Sequence, residues 1–214
     1  MFIWGAGGRL SGFINIDCRA TLTTDYIADL NNLRLFAKNS VSLFYIHAFF
    51  EHLYRNRRVP HLRCLVESLQ PRGACCYIGL PYFRNIAKMY LEGAPGVVGK
   101  RFDLYNVYRY THCDPEQVPR WWLEQLHKSL FDEQELIDLL SQAGFATASI
   151  FSYCYVREQG KPVNLGFFAT KSERGSELCR ADCLRFLSHH CTNKVLLDTV
   201  DFITVGARLR PRGE

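Results

Sequence analysis

Small and acidic residues near the start of the chain have the types and spacing that hold a nucleotide. Gly5, Ala6 and Gly7 follow the apolar residues 2–4, and Asp17 closes a second apolar run. Glycines let backbone N–H groups approach a ligand closely, and a carboxylate at the end of the next strand accepts hydrogen bonds from ribose hydroxyls. The pattern predicts a nucleotide-like ligand at the edge of an α/β sheet. Two buried strands joined by a glycine turn account for the same residues and stay an alternative.

A second group of residues has the side chains that ligate metals. It comprises Cys179, Cys183, His189, His190 and Cys191. The spacing matches no common zinc pattern, so packing or surface positions explain these residues better, and we predict no metal site.

Composition limits the class of protein. The chain has 214 residues, of which 48% are hydrophobic and 22% are charged, as in an ordinary globular domain. No apolar run reaches the length that spans a bilayer, and no basic segment precedes an apolar stretch at the start, so neither a membrane protein nor a secreted one is expected. Nine cysteines without a Cys-x-x-Cys pair indicate reduced thiols and a cytoplasmic protein.

The net charge of +5 favours anionic partners only weakly. Two clusters carry much of it, one at residues 55–58 and one formed by Arg208, Arg210 and Arg212. Such clusters bind nucleic acid in some proteins, but they also form the solvated rim of many enzymes. Nucleic acid is therefore a partner that the sequence allows without favouring it.

Strands and helices alternate along the first half of the chain. Residues 2–4, 13–16 and 26–28 are predicted as short strands, with too few residues between the first two for a full helical crossover. A strong strand is predicted at 41–46, followed by helices at 47–55 and about 59–69 and a fifth strand at 74–80. This succession predicts an α/β fold with a doubly wound, mostly parallel sheet.

The second half begins with a helix at 82–91 and an aromatic stretch at 101–122 without clear periodicity. Ser129 with Asp132 or Glu133 is expected to cap the next helix, which Gly144 ends. Residues 147–156 and 164–170 predict an antiparallel hairpin. A helix at 177–191 and an optional strand after residue 193 follow. We expect one domain over residues 1–171 with an aromatic insertion at about 93–128, and residues 172–214 packed on it as a helix and basic tail.

Six motifs occur in an order that makes the chain resemble small class I S-adenosylmethionine-dependent methyltransferases. The likeness is strongest to a compact subgroup with a short first crossover. The motifs are Gly-Ala-Gly-Gly at 5–8, Gly-Phe-Ile-Asn-Ile-Asp at 12–17, Ala-Asp-Leu at 28–30, the segment 39–53 with its Phe-Glu-His, Leu-Gln-Pro-Arg-Gly at 69–73, and the segment 129–145. The resemblance covers about residues 2–170 and implies the Rossmann-like methyltransferase fold.

The resemblance also implies S-adenosylmethionine as the cofactor. The glycines would pass its methionine moiety, Asp17 would accept hydrogen bonds from the ribose hydroxyls, and the Asp-Leu pair would lie beside the adenine. The residues implied to bind the cofactor are Gly5, Ala6, Gly7, Asp17, Asp29, Leu30 and His47.

By the same resemblance the chain transfers a methyl group to a small polar acceptor, such as a sugar or another metabolite. The sulfonium methyl is already activated, so the protein must hold the acceptor and, for a hydroxyl, supply a base. His47, His52 and His112 are the candidate bases, in that order. Ser42, which replaces the aspartate of the relatives, together with the absence of a helix before the first strand, favours a cofactor-binding pseudoenzyme or partner-binding protein instead. The arginine clusters favour a nucleic-acid methyltransferase.

Overall fold

Eight strands form the central sheet in the computed structural model of the chain. The structure describes residues 2–4, 12–18, 20–29, 35–96, 101–112, 126–156, 162–173, 180–190 and 195–209. The strands are β1 (Phe2–Trp4), β2 (Ile14–Asp17), β3 (Tyr26–Ile27), β4 (Val41–His47), β5 (Leu69–Pro81), β6 (Thr147–Tyr155), β7 (Asn164–Thr170) and β8 (Val195–Arg208).

In the described part of the chain, five α-helices and a 3-10 turn after β4 accompany these strands. The helices are α1 (Arg55–Ser68), α2 (Phe83–Glu92), α3 (Leu104–His112), α4 (Glu133–Ala143) and α5 (Arg180–His190), and the 3-10 turn is Phe50–His52. Of the helices that the structure describes, none combines the length and the apolar character needed to cross a bilayer.

The strand order is β3-β2-β1-β4-β5-β7-β6-β8. The first five strands pair in parallel, and β7, β6 and β8 join them through antiparallel pairs. The predicted hairpin of β6 and β7 is therefore confirmed. Residues 195–208, where the sequence leaves a strand optional, extend the sheet beyond β6 as β8.

Helices cover both faces of the sheet, as a doubly wound fold requires. In β4, Phe44 and Ile46 belong to a core cluster that also contains residues of α1 and α4, whereas Tyr45 belongs to a second cluster with residues of α5. All three side chains are buried, which is typical of a strand with helices on both sides. The α/β architecture predicted from the sequence is confirmed.

The predicted helix at 47–55 is wrong. The chain makes only the 3-10 turn Phe50–His52 there, and α1 begins at Arg55. Ala48 has a positive φ of 50°, and Tyr54 is extended, so neither residue can continue a helix. The result is a tight, non-helical loop directly after β4.

Candidate active site

Asp17 lies at the carboxyl end of β2, beside β1. The neighbouring strand β3 fixes its backbone, because the N–H of Ala28 donates to the carbonyl of Asp17 over 3.0 Å. The Asp25 carboxylate holds the middle of β2 by accepting from the Asn15 backbone N–H at 2.8 Å. The Asp17 side chain is partly exposed at the sheet edge. In open α/β sheets, ligands bind outside the carboxyl ends of the strands.

Asp29 follows β3 at the same edge of the sheet and is exposed. Parallel pairing of β2 and β3 brings this carboxylate to the side of the sheet on which Asp17 lies. Gly5, Ala6, Gly7 and Leu30 fall outside the described residues, so their predicted roles stay predictions.

His47 is the last residue of β4, and its ring meets a tyrosine from β6. The Nε2 atom of His47 and the hydroxyl of Tyr155 are 3.0 Å apart in a hydrogen bond, and the two rings are arranged edge to face. Because β4 pairs in parallel with β1, His47 is at the same edge of the sheet as Asp17. The pair therefore lies where this fold binds ligands.

Gly79 shapes the backbone behind this pair. Its φ is +93°, and a Cβ atom added there would lie 2.8 Å from the Ala48 nitrogen and 2.9 Å from the Tyr155 hydroxyl. The Gly79 N–H donates to the hydroxyl of Tyr153 over 2.8 Å. Sequence reasoning missed Gly79 and both tyrosines. The spacing of Tyr153 and Tyr155, two apart on a strand, was the signal available.

Three chemically active side chains meet beyond β4. One donor atom each from Glu51, His52 and His127 lies within 4.8 Å of the other two. Glu51 Oε1 is 3.5 Å from His52 Nε2. His52 is one of the bases predicted from the sequence, whereas His127 is not; it follows residues 113–125, which lie outside the described part of the chain.

Both histidines of this cluster are oriented by backbone carbonyls. Nδ1 of His52 donates to Leu126 over 3.2 Å, and Nδ1 of His127 donates to Tyr110 over 3.0 Å. A carbonyl oxygen only accepts, so each Nδ1 carries the proton and each Nε2 of the neutral ring keeps its lone pair. Two imidazole lone pairs are thus available next to one carboxyl group.

Burial shifts the pKa value of each of the three groups in the direction that favours its neutral form. Desolvation raises the pKa of Glu51 from 4.5 to about 8, against a smaller lowering by a backbone hydrogen bond. Desolvation, followed by the effect of the neighbouring His127, lowers the pKa of His52 from 6.5 to about 4. The pKa of His127 is also lowered by burial. His52 is consequently a weak base in the absence of a cation.

A buried arginine ties the segment that carries His127 to α1. Arg58 Nη1 donates to Glu135 Oε1 over 2.6 Å, and Nη2 donates to the hydroxyl of Ser129. That hydroxyl in turn donates to the Leu53 carbonyl over 2.9 Å, and the guanidinium lies 5.2 Å from the ring centre of Phe131. Ser129 therefore links the Arg58 side chain to the Leu53 carbonyl.

Ser129, which the sequence predicts to cap α4 together with Asp132 or Glu133, is not its N-cap. Asp132 is the N-cap of α4, because its side chain accepts from the Glu135 N–H over 2.8 Å. Gly144 ends the helix in the left-handed conformation with φ +94°, as predicted.

His112, the third candidate base, lies on α3 and is exposed. Its ring stacks on Tyr108 with centres 4.7 Å apart. Its carbonyl accepts from the His127 N–H over 3.4 Å, so the structure brings His112 close to His127. His47 has a different partner, Tyr155, and the candidate bases therefore divide into two places.

Comparison with known proteins gives structural neighbours only. No protein-family model and no curated protein matches the sequence. A chain of the Haloferax volcanii complex between the Trm112 methyltransferase activator and a methyltransferase is 12% identical, with a TM-score of 0.51 over 79% of this chain and 81% of that one.

Two further neighbours are described as S-adenosylmethionine-dependent methyltransferases. That from Methanosarcina mazei is 16% identical, with a TM-score of 0.49 over 79% of this chain and 91% of that chain. That from Thermotoga maritima is 14% identical, with a TM-score of 0.44 over 69% of this chain, and the match spans only 63% of its own length. At these identities the likeness concerns the fold. The chain has a mixed α/β, Rossmann-like fold, which resembles that of solved methyltransferases.

Proposed function

We propose that the protein is a cytoplasmic methyltransferase of the compact class I subgroup, which transfers the methyl group of S-adenosylmethionine to a small polar acceptor, such as a sugar or another metabolite. The observation that carries the proposal is the position of Asp17. It ends β2 beside the central strand β1, and it is partly exposed at the carboxyl edge of the sheet. A carboxylate there accepts hydrogen bonds from both hydroxyls of a ribose.

His47 is the proposed base for a hydroxyl acceptor. It lies at the carboxyl end of the strand next to β1, and Tyr155 orients its ring through the 3.0 Å hydrogen bond. His52 is the weaker candidate, because burial lowers its pKa to about 4 and a proton acceptor works best with a pKa near the operating pH. His112 is third, being exposed on α3.

The substitution at Ser42 does not argue against turnover. Ser42 is the second residue of β4 and is exposed, at the end of the strand opposite to His47. A change at that end leaves the ligand-binding edge untouched. The arginine cluster at 55–58 is also weaker support for nucleic acid than its sequence indicates, because Arg58 is buried against Glu135 and only part of the cluster is presented to solvent.

Calorimetric titration with S-adenosylhomocysteine tests the cofactor site. Wild type should bind. Asp17→Ala removes two charge-assisted hydrogen bonds to the ribose, which together contribute a few kcal/mol to binding. Because about 1.4 kcal/mol corresponds to a tenfold change in affinity, the variant should bind on the order of a hundredfold more weakly. Asp29→Asn should weaken binding less, because the amide oxygen still accepts one hydrogen bond from the adenine amine.

The matched control is Asp201→Ala, which removes an exposed carboxylate from β8. It should bind the cofactor like wild type. Folded wild type that fails to bind, or Asp17→Ala that binds as tightly as wild type, would contradict the proposal. Product formation with a panel of sugars and small metabolites then separates an enzyme from a binding protein without turnover.

A further inference from the structure

We propose that Glu51, His52 and His127 form a binding site for a divalent first-row metal ion of the zinc type. The inference departs from the sequence analysis, which predicts no metal site. It does not rest on the proposed function, because metal binding is measured without cofactor or methyl transfer. Two imidazoles and one carboxylate are a ligand set that proteins use for zinc sites with an open position.

The distances suit a metal centre. Zinc binds nitrogen and oxygen at about 2.0–2.2 Å, so donors in a tetrahedral site are separated by about 3.4 Å. Glu51 Oε1 and His52 Nε2 are already 3.5 Å apart. The third donor, from His127, lies within 4.8 Å of both, so a movement of up to about 1.4 Å by this partly exposed side chain brings it to the separation of about 3.4 Å expected in a tetrahedral site.

The two rings are held as metal ligands are held. Histidine ligands donate their second ring N–H to a carbonyl or carboxylate, which fixes the tautomer and the ring orientation. Here the carbonyls of Leu126 and Tyr110 receive these bonds, and both Nε2 lone pairs are left for a cation. The backbone N–H of Lys128 also donates to the Glu51 carbonyl over 2.7 Å, which fixes the segment after His127 against the turn that carries Glu51.

An unsatisfied buried oxygen independently indicates a ligand. Glu51 is 1% exposed, and its Oε2 has no hydrogen-bond partner among the described residues. A buried carboxyl oxygen without a partner destabilises the folded chain, and more so when it is charged. A bound cation would remove this destabilisation, whereas the cluster without one has no donor for that oxygen in the described part of the chain.

Three protein ligands leave at least one coordination position for water. Imidazole ligands favour zinc, cobalt, iron or nickel over magnesium, which prefers oxygen. The site should therefore bind these first-row transition ions more tightly than it binds magnesium.

Titration of the metal-free full chain tests the site. We expect one equivalent of Zn²⁺ per chain by calorimetry, and one equivalent of Co²⁺ by visible absorption, with little response to Mg²⁺ at the same concentration. His127→Ala should weaken Zn²⁺ binding by at least roughly tenfold, since changes even to residues outside the ligands commonly lose ten- to a hundredfold. Glu51→Gln, which keeps the shape of the buried side chain, should do the same.

The matched control is His189→Ala, which removes an exposed histidine on α5. It should leave the stoichiometry and affinity unchanged. Circular dichroism establishes that each variant is folded. The proposal is overturned if folded wild type takes up no Zn²⁺, if both His127→Ala and Glu51→Gln bind like wild type, or if Mg²⁺ binds as well as Zn²⁺. Cofactor binding by wild type in a parallel titration keeps this outcome distinct from failure of the proposed function.

Discussion

At Gly79, the backbone after β4 and the side chains of β6 leave no room for a Cβ atom. Gly79→Ala should lower the free energy of unfolding by about 2–4 kcal/mol, because it combines a left-handed φ with a contact of 2.8 Å to the Ala48 nitrogen. Chemical denaturation measures the loss.

Gly144→Ala separates the two contributions. Its φ of +94° matches that of Gly79, but a Cβ atom there would have no neighbour within 4 Å. We expect a loss of about 1–2 kcal/mol from the backbone conformation alone. Equal losses for the two variants would mean that crowding at Gly79 contributes nothing.

The element that carries His127 depends on Arg58 for its position against α1. Arg58→Ala should destabilise the protein by about 1–3 kcal/mol, because it leaves the buried Ser129 hydroxyl and the Glu135 carboxylate without their donor. Part of the Glu135 side chain is in contact with water, which moderates the loss. Thermal and urea unfolding measure the change.

Arg84→Ala provides the comparison for that measurement. Arg84 pairs with Glu133 at 2.7 Å, but the arginine side chain is 62% exposed. Exposed ion pairs contribute about 0–1 kcal/mol. If Arg84→Ala destabilises as much as Arg58→Ala, burial is not what makes the Arg58 contacts stabilising.

The aromatic stretch at 101–122, of which residues 113–122 lie outside the described part of the chain, should exchange its amide hydrogens faster than β4. Within it, α3 packs with α2 through a small cluster containing Phe102 and Tyr110, separate from the two clusters that enclose the sheet. Elements with few contacts to the main core open at lower free energy. Hydrogen exchange without ligand measures this difference. Protection equal to that of residues 41–46 would contradict this prediction and assign the stretch a structural role.

The stability of the whole molecule should peak near neutral pH. Glu51 has its pKa raised from 4.5 to about 8, so its contribution to stability is present below pH 4.5 and is lost as the pH rises through 8. His52 and His61 have pKa values lowered from 6.5 to about 4 and about 3, so their contributions are present above pH 6.5 and are lost as the pH falls.

Glu51→Gln tests the alkaline side of this profile. Without metal, wild type should lose up to about 1.4 kcal/mol per pH unit from this group as the pH rises from 4.5 to about 8, and the variant should lose that dependence. Urea unfolding at a series of pH values with a chelator present gives both curves. Among the described residues, the ionisable groups that face Glu51 include His52, His127 and Tyr77. The pKa values of the two histidines are lowered and that of Tyr77 is raised, so none of them causes a loss of stability on this limb, and an unchanged alkaline limb in the variant would mean that Glu51 does not cause it.

The sequence predicts the sheet better than it predicts the site. The strand that contains Tyr45 and Ile46 is recognisable because burial on both faces selects apolar residues without alternation. The helix predicted at 47–55 fails because alanine carries no sequence signal for the positive φ that Ala48 adopts. His127 is absent from the predicted site because tertiary contacts, including those of Arg58, bring its segment to His52, and no local pattern encodes such contacts.

The place of β8 in the sheet has a consequence for synthesis on the ribosome. β6 lies between β7 and β8, and it is buried along nearly its whole length. At 5–20 residues per second, roughly 3 to 10 seconds pass between the synthesis of β6 and that of residue 208. Throughout that interval the nascent chain presents an unpaired apolar edge, the kind of edge that pairs with other chains. Nascent chains stalled near residue 195, when β6 has left the ribosome and β8 has not been made, should therefore recruit chaperones, and release of the stall should free them.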